Sequence, residues 1–361
     1  MKYMDEYRDK RLVDQLVQRI RSLSHTPVQL MEVCGGHTMS IRKFGIPSLL
    51  PETVRLVSGP GCPVCVTGRH FIDKAIAFSR LSDVIITTFG DLIRVPGSTS
   101  SLEKEKAGGA DIRIVYSVLD ALQIALDHKD KQVVFLGIGF ETTSPGSAAG
   151  IKKAAEMHIP NFFLYSSHKV MPPAMRALIH EGIAISGFIA PGHVSTITGT
   201  AMYEEFPATY GVGCVVSGFE PVDLLQSVLM LVEQIESGRP RVEIQYKRAV
   251  RPEGNPKALQ LLHEVFEPQD DWWRGLGVLP GSGLRLKTAF EHFDAENGFT
   301  VDVEETREEK GCICGEVLKG LKQPGDCNLF GKACTPSDPV GACMVSNEGT
   351  CHAWYRYHRH G

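Results

Sequence analysis

Apolar residues in this chain come in short runs separated by longer amphipathic stretches. Eight runs read as strands: VQLMEV (28–33), VRLVS (54–58), DVIITTF (83–89), IRIVYS (112–117), QVVFLGI (132–138), NFFLYS (161–166), ISGFIA (185–190) and GCVVSG (213–218). Several lack apolar–polar alternation, as expected of strands buried on both faces of a parallel sheet. Helical periodicity fills the gaps, for example in RHFIDKAIAFSRL, VLDALQIALDH and PVDLLQSVLMLVEQIES. The last opens on Pro221 and stops near Gly238, residues suited to a helix start and end. Strand–helix alternation predicts an α/β architecture. Four strands precede residue 130 and four follow it. The expectation is two Rossmann-like α/β lobes with parallel sheets, over 1–130 and 131–238.

From about 240 the pattern changes. SGRPRVEIQYKRAVRPEGNP reads as a connector or an irregular strand pair, KALQLLHEVF as a helix, and DDWWRGLGVLPGSGLRL as a turn-rich segment. The last fifty residues hold many Cys, Gly and Pro and few apolar runs. Such a segment builds a core of its own with difficulty and gains from a bound metal or cluster. It completes a third unit, 239–361.

The strand ends resemble one another: EVCGGHT, SGPGCPVC, TTFGD, GIGFETTSPG, APGHVS and SGFEP. Each places Gly and polar residues just past a strand's carboxyl end, where open α/β sheets form their sites. Glycine also serves tight strand-to-helix turns. Six such loops, several carrying His, Cys or Glu, point to a shared site.

Composition narrows the function. The chain has 361 residues, 43% of them hydrophobic and 22% charged, ordinary for a globular protein with sizeable cores. A formal charge of −4 gives no reason to expect nucleic acid or an anionic membrane as partner. No apolar run nears the ~18 residues of a membrane span, and the charged amphipathic N-terminus lacks a signal-peptide core. A cytoplasmic location is expected. Ten cysteines in that reducing compartment read as metal-binding or redox-active before they read as disulfides.

Their placement is uneven. Cys314, Cys327, Cys334 and Cys351, spaced C-x12-C-x6-C-x16-C, supply four thiols for a [4Fe–4S] cluster or a tetrahedral zinc. The absence of a close C-x-x-C pair weakens the zinc-ribbon reading, and inert buried thiols are the plain alternative. Cys312 and Cys343 are two further thiols in the same segment, and Cys214 stands alone. Cys62 and Cys65 sit in a Gly- and Pro-stiffened turn leading to a helix N-terminus. That setting favours thiolate and lowers thiol pKa values into the range ~3.5–7.5, so a redox pair is expected ahead of a metal half-site or plain packing. Cys34 follows a strand and precedes Gly35, Gly36 and His37, and His37 is placed to hydrogen-bond or activate the thiol.

MEVCGGHT, GPGCPVCV, TFGDLIRVPG, GFETTSPG, APGHVS, GFEPVDLLQ and the C-terminal cysteine series together resemble the HypD hydrogenase maturation factors over nearly the whole chain. The resemblance implies a three-part α/β protein whose C-terminal domain carries a [4Fe–4S] cluster. It implies a redox-active assembly scaffold, rather than a conventional turnover enzyme, for the Fe(CN)2CO unit of [NiFe] hydrogenases. HypC-type chaperone and HypE-type cyanide donor would be its partners, and the chain is expected to be a monomer before they bind. Carried over by motif, Cys34 would bind the Fe(II) that takes up CN and CO, with His37 beside it. Cys62 and Cys65 would be the redox pair. Cys314, Cys327, Cys334 and Cys351 would hold the cluster, and Glu348 matches a functionally important acid. Glu141, Thr142, Thr143 and His193 are expected to hydrogen-bond cyanide or a partner. A general thiol–disulfide oxidoreductase using Cys62 and Cys65 is the alternative function.

Overall fold

A computed structural model describes residues 5–357. All eight expected strands form, within a few residues of the expected ends: β1 Val28–Glu32, β2 Val54–Ser58, β3 Val84–Thr88, β4 Ile112–Ile114, β5 Gln132–Gly139, β6 Phe162–His168, β7 Gly187–Pro191 and β8 Gly213–Ser217. A ninth, β9 Val242–Ile244, forms in the expected connector, and β10 Phe266–Trp273 with β11 Gly277–Leu286 make an antiparallel ribbon from the turn-rich segment. The N-terminal pattern becomes the helix Lys10–Leu23, which Asp9 caps through its side chain; residues 1–4 lie outside the described residues.

Two parallel sheets form, in the orders β2-β1-β7-β8-β9 and β4-β3-β5-β6. The hydrogen bonding does not divide the strands at residue 130. The chain makes β1 and β2, builds the whole second sheet, and returns to lay β7 beside β1, with Leu30 paired to Gly187. Counted along the chain, each sheet begins in the doubly wound order 2-1-3-4. Its switch point, where ligands gather in such sheets, falls between β1 and β7 in the first and between β3 and β5 in the second.

The central strands are largely apolar because both faces are covered. On the first sheet Leu30, Ile189 and Val215 pack under the helices Lys10–Leu23 and Pro221–Glu236, while Met31, Phe188, Ala190 and Val216 face the other way. On the second sheet Ile85, Val133 and Phe135 pack outward, and Ile86, Val134 and Leu136 join the same core as Met31 and Phe188. That shared core also takes in Cys314, Leu318, Cys334, Cys343, Met344 and Cys351. The C-terminal segment therefore packs into the core common to both sheets instead of building a separate one. Its final helix, Thr350–Tyr357, lies against the helix Gly35–Lys43, where the Arg42 guanidinium stacks 4.3 Å over the Trp354 ring. Among the described residues no helix is long and apolar enough to cross a membrane.

Candidate functional site

β1 and β2 are hydrogen-bonded neighbours with Glu32 opposite Ser58, so the two cysteine loops leave the sheet side by side. Cys34 takes an extended conformation and starts the helix Gly35–Lys43. Cys62 starts the four-residue helix Pro63–Val66, with its sulfur accepting from Cys65 N–H at 3.3 Å. The loops are tied by Gly59 N–H to Glu32 O (2.8 Å) and Gly35 N–H to Gly61 O (2.9 Å). The Glu32 carboxylate reinforces the join, accepting from Ser58 Oγ at 2.6 Å and Thr38 Oγ1 at 3.3 Å. Gly61 is required by close approach: a Cβ there would stand 2.2 Å from Cys34 N.

Cys34 is half-buried. Glu348 packs over Gly35, where a Cβ would meet the Glu348 Cβ at 2.5 Å. Phe219 packs over Gly36 and is stacked between two imidazoles, His193 at 4.0 Å and His37 at 4.6 Å. Burial pushes the Cys34 thiol up to about 12, and the Glu348 carboxylate and Cys62 add to the rise. The N–H groups of Gly36 and His37 pull the other way without overcoming it. Cys34 is thus a neutral thiol near pH 7. Glu348 keeps contact with solvent, yet desolvation and the nearby Asp91 raise its carboxyl as well.

His37 does not act on Cys34 in the expected way. Its Nε2 lies 3.2 Å from Ser217 O, which accepts, so Nε2 carries the proton. Burial holds the ring's pKa at about 4, and Nδ1 is left without a partner. The ring is therefore neutral at pH 7, with a free lone pair on Nδ1.

Cys62 and Cys65 lie side by side, sulfurs 2.6 Å apart, and both are free thiols. The expected lowering of the thiol pKa fails for Cys65, which is raised, because burial among other sulfurs outweighs a helix of one turn. Arg274, in the ribbon, fastens the far end of that turn: Nε donates to Cys65 O and Nη2 to Thr67 O, each at 3.0 Å. Arg94 reaches the C-terminal segment through Pro336 O and Val345 O.

The C-terminal cysteines gather beside the pair. Cys343 lies near enough to Cys314, Cys351 and Cys65 for these thiols to lower its pKa. Cys312 and Cys314 sulfurs are 3.3 Å apart, and Cys334 is within electrostatic reach of both. Gly341 forms a cradle, since a Cβ there would fall 2.6 Å from Cys314 Sγ and 2.8 Å from Cys312 Sγ. The Cys327 thiol is directed at Gly311 O, the carbonyl just before Cys312. Among the described residues no three His, Cys, Asp or Glu side chains converge on a single-ion site. A soft all-thiol donor set around a glycine-floored space fits an iron–sulfur cluster, and the grouping itself does not choose four ligands from the six.

The other expected polar residues divide. His193 reaches the Cys34 loop through Phe219. Thr142 and Thr143 line a cleft of about 370 Å3 with Phe89, Tyr116 and Phe135 at the carboxyl end of the second sheet. Glu141 is buried, with Oε1 accepting from Met171 N–H at 2.9 Å and Oε2 unpartnered. Burial raises its pKa from 4.5 to about 7, so the folded state favours the protonated form. That contribution to stability is complete below pH 4.5 and is lost as pH rises through 7, by about 3 kcal/mol in all. Urea unfolding should show this: Glu141→Gln is expected to reduce the fall in stability between pH 5 and pH 8 by an amount of that order, and an unchanged pH profile would contradict the assignment.

Sequence motifs locate Cys34, Cys62, Cys65 and Glu348. They miss Phe219, Arg274 and Arg94 as site builders, and the central place of Cys343.

Residues 11–358 match the family model described as "HypD: Hydrogenase formation hypA family". The chain belongs to the HypD family. It is 47% identical to hydrogenase maturation factor HypD of Azotobacter vinelandii, covering 99% of this chain and 97% of the relative. It is 44% identical to HypD of Cupriavidus necator, covering 99% and 98%. A putative hydrogenase expression/formation protein of Methanocaldococcus jannaschii is also 44% identical, over 97% and 98%.

Proposed function

We propose that the chain is a hydrogenase maturation factor that holds one iron on Cys34, together with a thiolate of a HypC-type chaperone, while the Fe(CN)2CO unit is assembled. The observation that carries this reading is the convergence of the Cys34 loop, the Cys62/Cys65 pair and the C-terminal thiols in one core. Low-spin Fe(II) bearing cyanide and CO is soft and favours thiolate. Glu348, close enough to Cys34 to raise its pKa, is a carboxylate that would take the thiol proton displaced by metal binding.

Cyanide reaches the site as a thiocyanate on a HypE-type donor. Its release takes two electrons: the S–CN bond breaks, and the donor thiolate and cyanide leave. The Cys62/Cys65 dithiol supplies both electrons as it becomes a disulfide, and gives up two protons. Four of the C-terminal thiols, with Cys314, Cys327, Cys334 and Cys351 as the expected set, would hold a [4Fe–4S] cluster, which would pass electrons one at a time from an external reductant for the return of the pair to its dithiol form. Cys62 is 3% and Cys65 0% exposed, so both this release of cyanide and a general thiol–disulfide exchange require the pair to be uncovered when a partner docks.

The experiment is an infrared spectrum of the protein purified anaerobically with its chaperone, with iron and sulfide measured alongside. CO and CN stretches are expected, and their absence from an iron-loaded complex would refute the assembly role. Cys65→Ala removes one small buried side chain and is expected to cost about 1–2 kcal/mol, leaving the chain folded while maturation stops. Full hydrogenase activity in cells carrying only that variant would refute the redox role.

A further inference from the structure

The segments that follow β1, β7 and β8 bring His37, His193 and Phe219 together beside Cys34. The Phe219 ring is stacked between the two imidazoles, 4.0 Å from His193 at an interplanar angle of 25° and 4.6 Å from His37 at 30°. Two glycines make the slot it occupies. A Cβ on Gly36 would stand 3.0 Å from Phe219 Cε1, and one on Gly192 would stand 3.3 Å from Cε2. Tyr246 meets the ring edge-on at 6.0 Å. The same Gly36 position lies 3.7 Å from Cys34 Sγ, so the ring and the sulfur border one space. The three stacked rings differ in freedom. His37 is buried and tied to Ser217 O. Phe219 is half-buried, and His193, on its other face, is exposed.

From this arrangement we infer that Phe219 is a positioning residue that screens the Cys34 sulfur from water, and that His193 is the latch that holds it there. With His193 stacked, the phenyl ring has an aromatic neighbour on each face and stays in its slot. With His193 displaced, it loses one of the two contacts, and positions away from the sulfur gain population. The screen suits a site where a metal is to take up cyanide. Cyanide is a base, and water that reaches it protonates it and lets it escape, so a dry pocket keeps it at the metal. A partner docking on the exposed His193 would open the sulfur at the moment of loading. That purpose rests on the proposed function, whereas the screen belongs to the chain before any iron reaches Cys34 and is tested there.

The full chain, purified anaerobically with its cluster, is treated with iodoacetamide at fixed pH, and alkylation of Cys34 is followed by peptide mass spectrometry. The reagent needs both access and thiolate, and the ring suppresses both. His193→Ala should alkylate Cys34 about two to ten times faster than wild type, the factor that one aromatic contact is worth, and Phe219→Ala about ten times faster or more. His193→Phe keeps a flat ring on Phe219 and should return the rate to within about twofold of wild type. Cys214, 0% exposed on β8, reports on global opening and should stay unalkylated throughout. A wild-type rate in His193→Ala overturns the latch, and a wild-type rate in Phe219→Ala overturns the screen. If Cys214 reacts in Phe219→Ala, that variant has unfolded and the two His193 variants decide: His193→Phe no slower than His193→Ala overturns the proposal. None of these rates involves iron on Cys34, a chaperone or a hydrogenase, so failure here leaves the assembly role standing. Absence of CO and CN bands from the wild-type complex would refute that role and leave the screen untouched.

Discussion

A Cys34→Ser chain is expected to fold like its parent and to mature no hydrogenase. Serine nearly matches cysteine in volume, and Cys34 is half-buried, so the change in stability should stay within about 1 kcal/mol. The chemical change is large. A serine hydroxyl is a hard donor that keeps its proton near neutral pH, and it does not replace a thiolate on soft low-spin iron. The parent thiol is itself neutral before metal arrives, pushed up to about 12 by burial with Glu348 and Cys62 adding to it. On the proposed function, iron binding and proton release would be one event at this position, and only sulfur would gain enough from the metal to drive it. Hydrogenase activity in cells carrying the variant as sole copy should fall to background, and the purified complex should lose its CO and CN bands. Bands of wild-type intensity would remove Cys34 from the iron.

Most of the strands are legible because they are apolar runs of five to eight residues with both faces covered, as in VIITT and GCVVS. Their assignment to sheets is not. Nothing local to GFIAP says that β7 lies beside β1, because that pairing is made across more than a hundred intervening residues. The ribbon was missed for a different reason. Pro268, Pro280 and a register shift between Gln269 and Asp271 break the alternation that marks a strand. The site followed the same rule. Cys34, Cys62 and Cys65 announce themselves because the glycines and prolines that hold them are adjacent in sequence. Phe219, Arg274 and Cys343 come from distant segments, and only the folded chain brings the phenyl ring to Gly36, the guanidinium to Cys65 O, and the third sulfur to the pair.

The pairing of the two loops predicts a severe effect from the smallest possible substitution. Gly61→Ala would place its Cβ 2.2 Å from Cys34 N, 2.4 Å from Cys34 Cα and 2.4 Å from Val33 C. All three are backbone atoms, and they are held by β1 on one side and by the Gly35 N–H bond to Gly61 O on the other, so no rotamer change relieves the contact. Gly59→Ala is milder, since its closest neighbour is the flexible Met31 side chain at 2.8 Å. Overpacking where neighbours can shift costs about 1–3 kcal/mol; with backbone on every side, Gly61→Ala should cost about 4 kcal/mol or separate the loops outright. Gly146→Ala supplies the control. It lies inside the helix Ser144–Glu156 with nothing within 4 Å of a Cβ, and should be neutral or stabilise by up to about 1 kcal/mol. Urea unfolding of both variants reads the difference, and maturation should be lost only in Gly61→Ala. Equal stabilities would mean that the CPVC turn is free to move relative to Cys34, and the iron would then lose the fixed pair of sulfurs on which two-electron release of cyanide beside it depends.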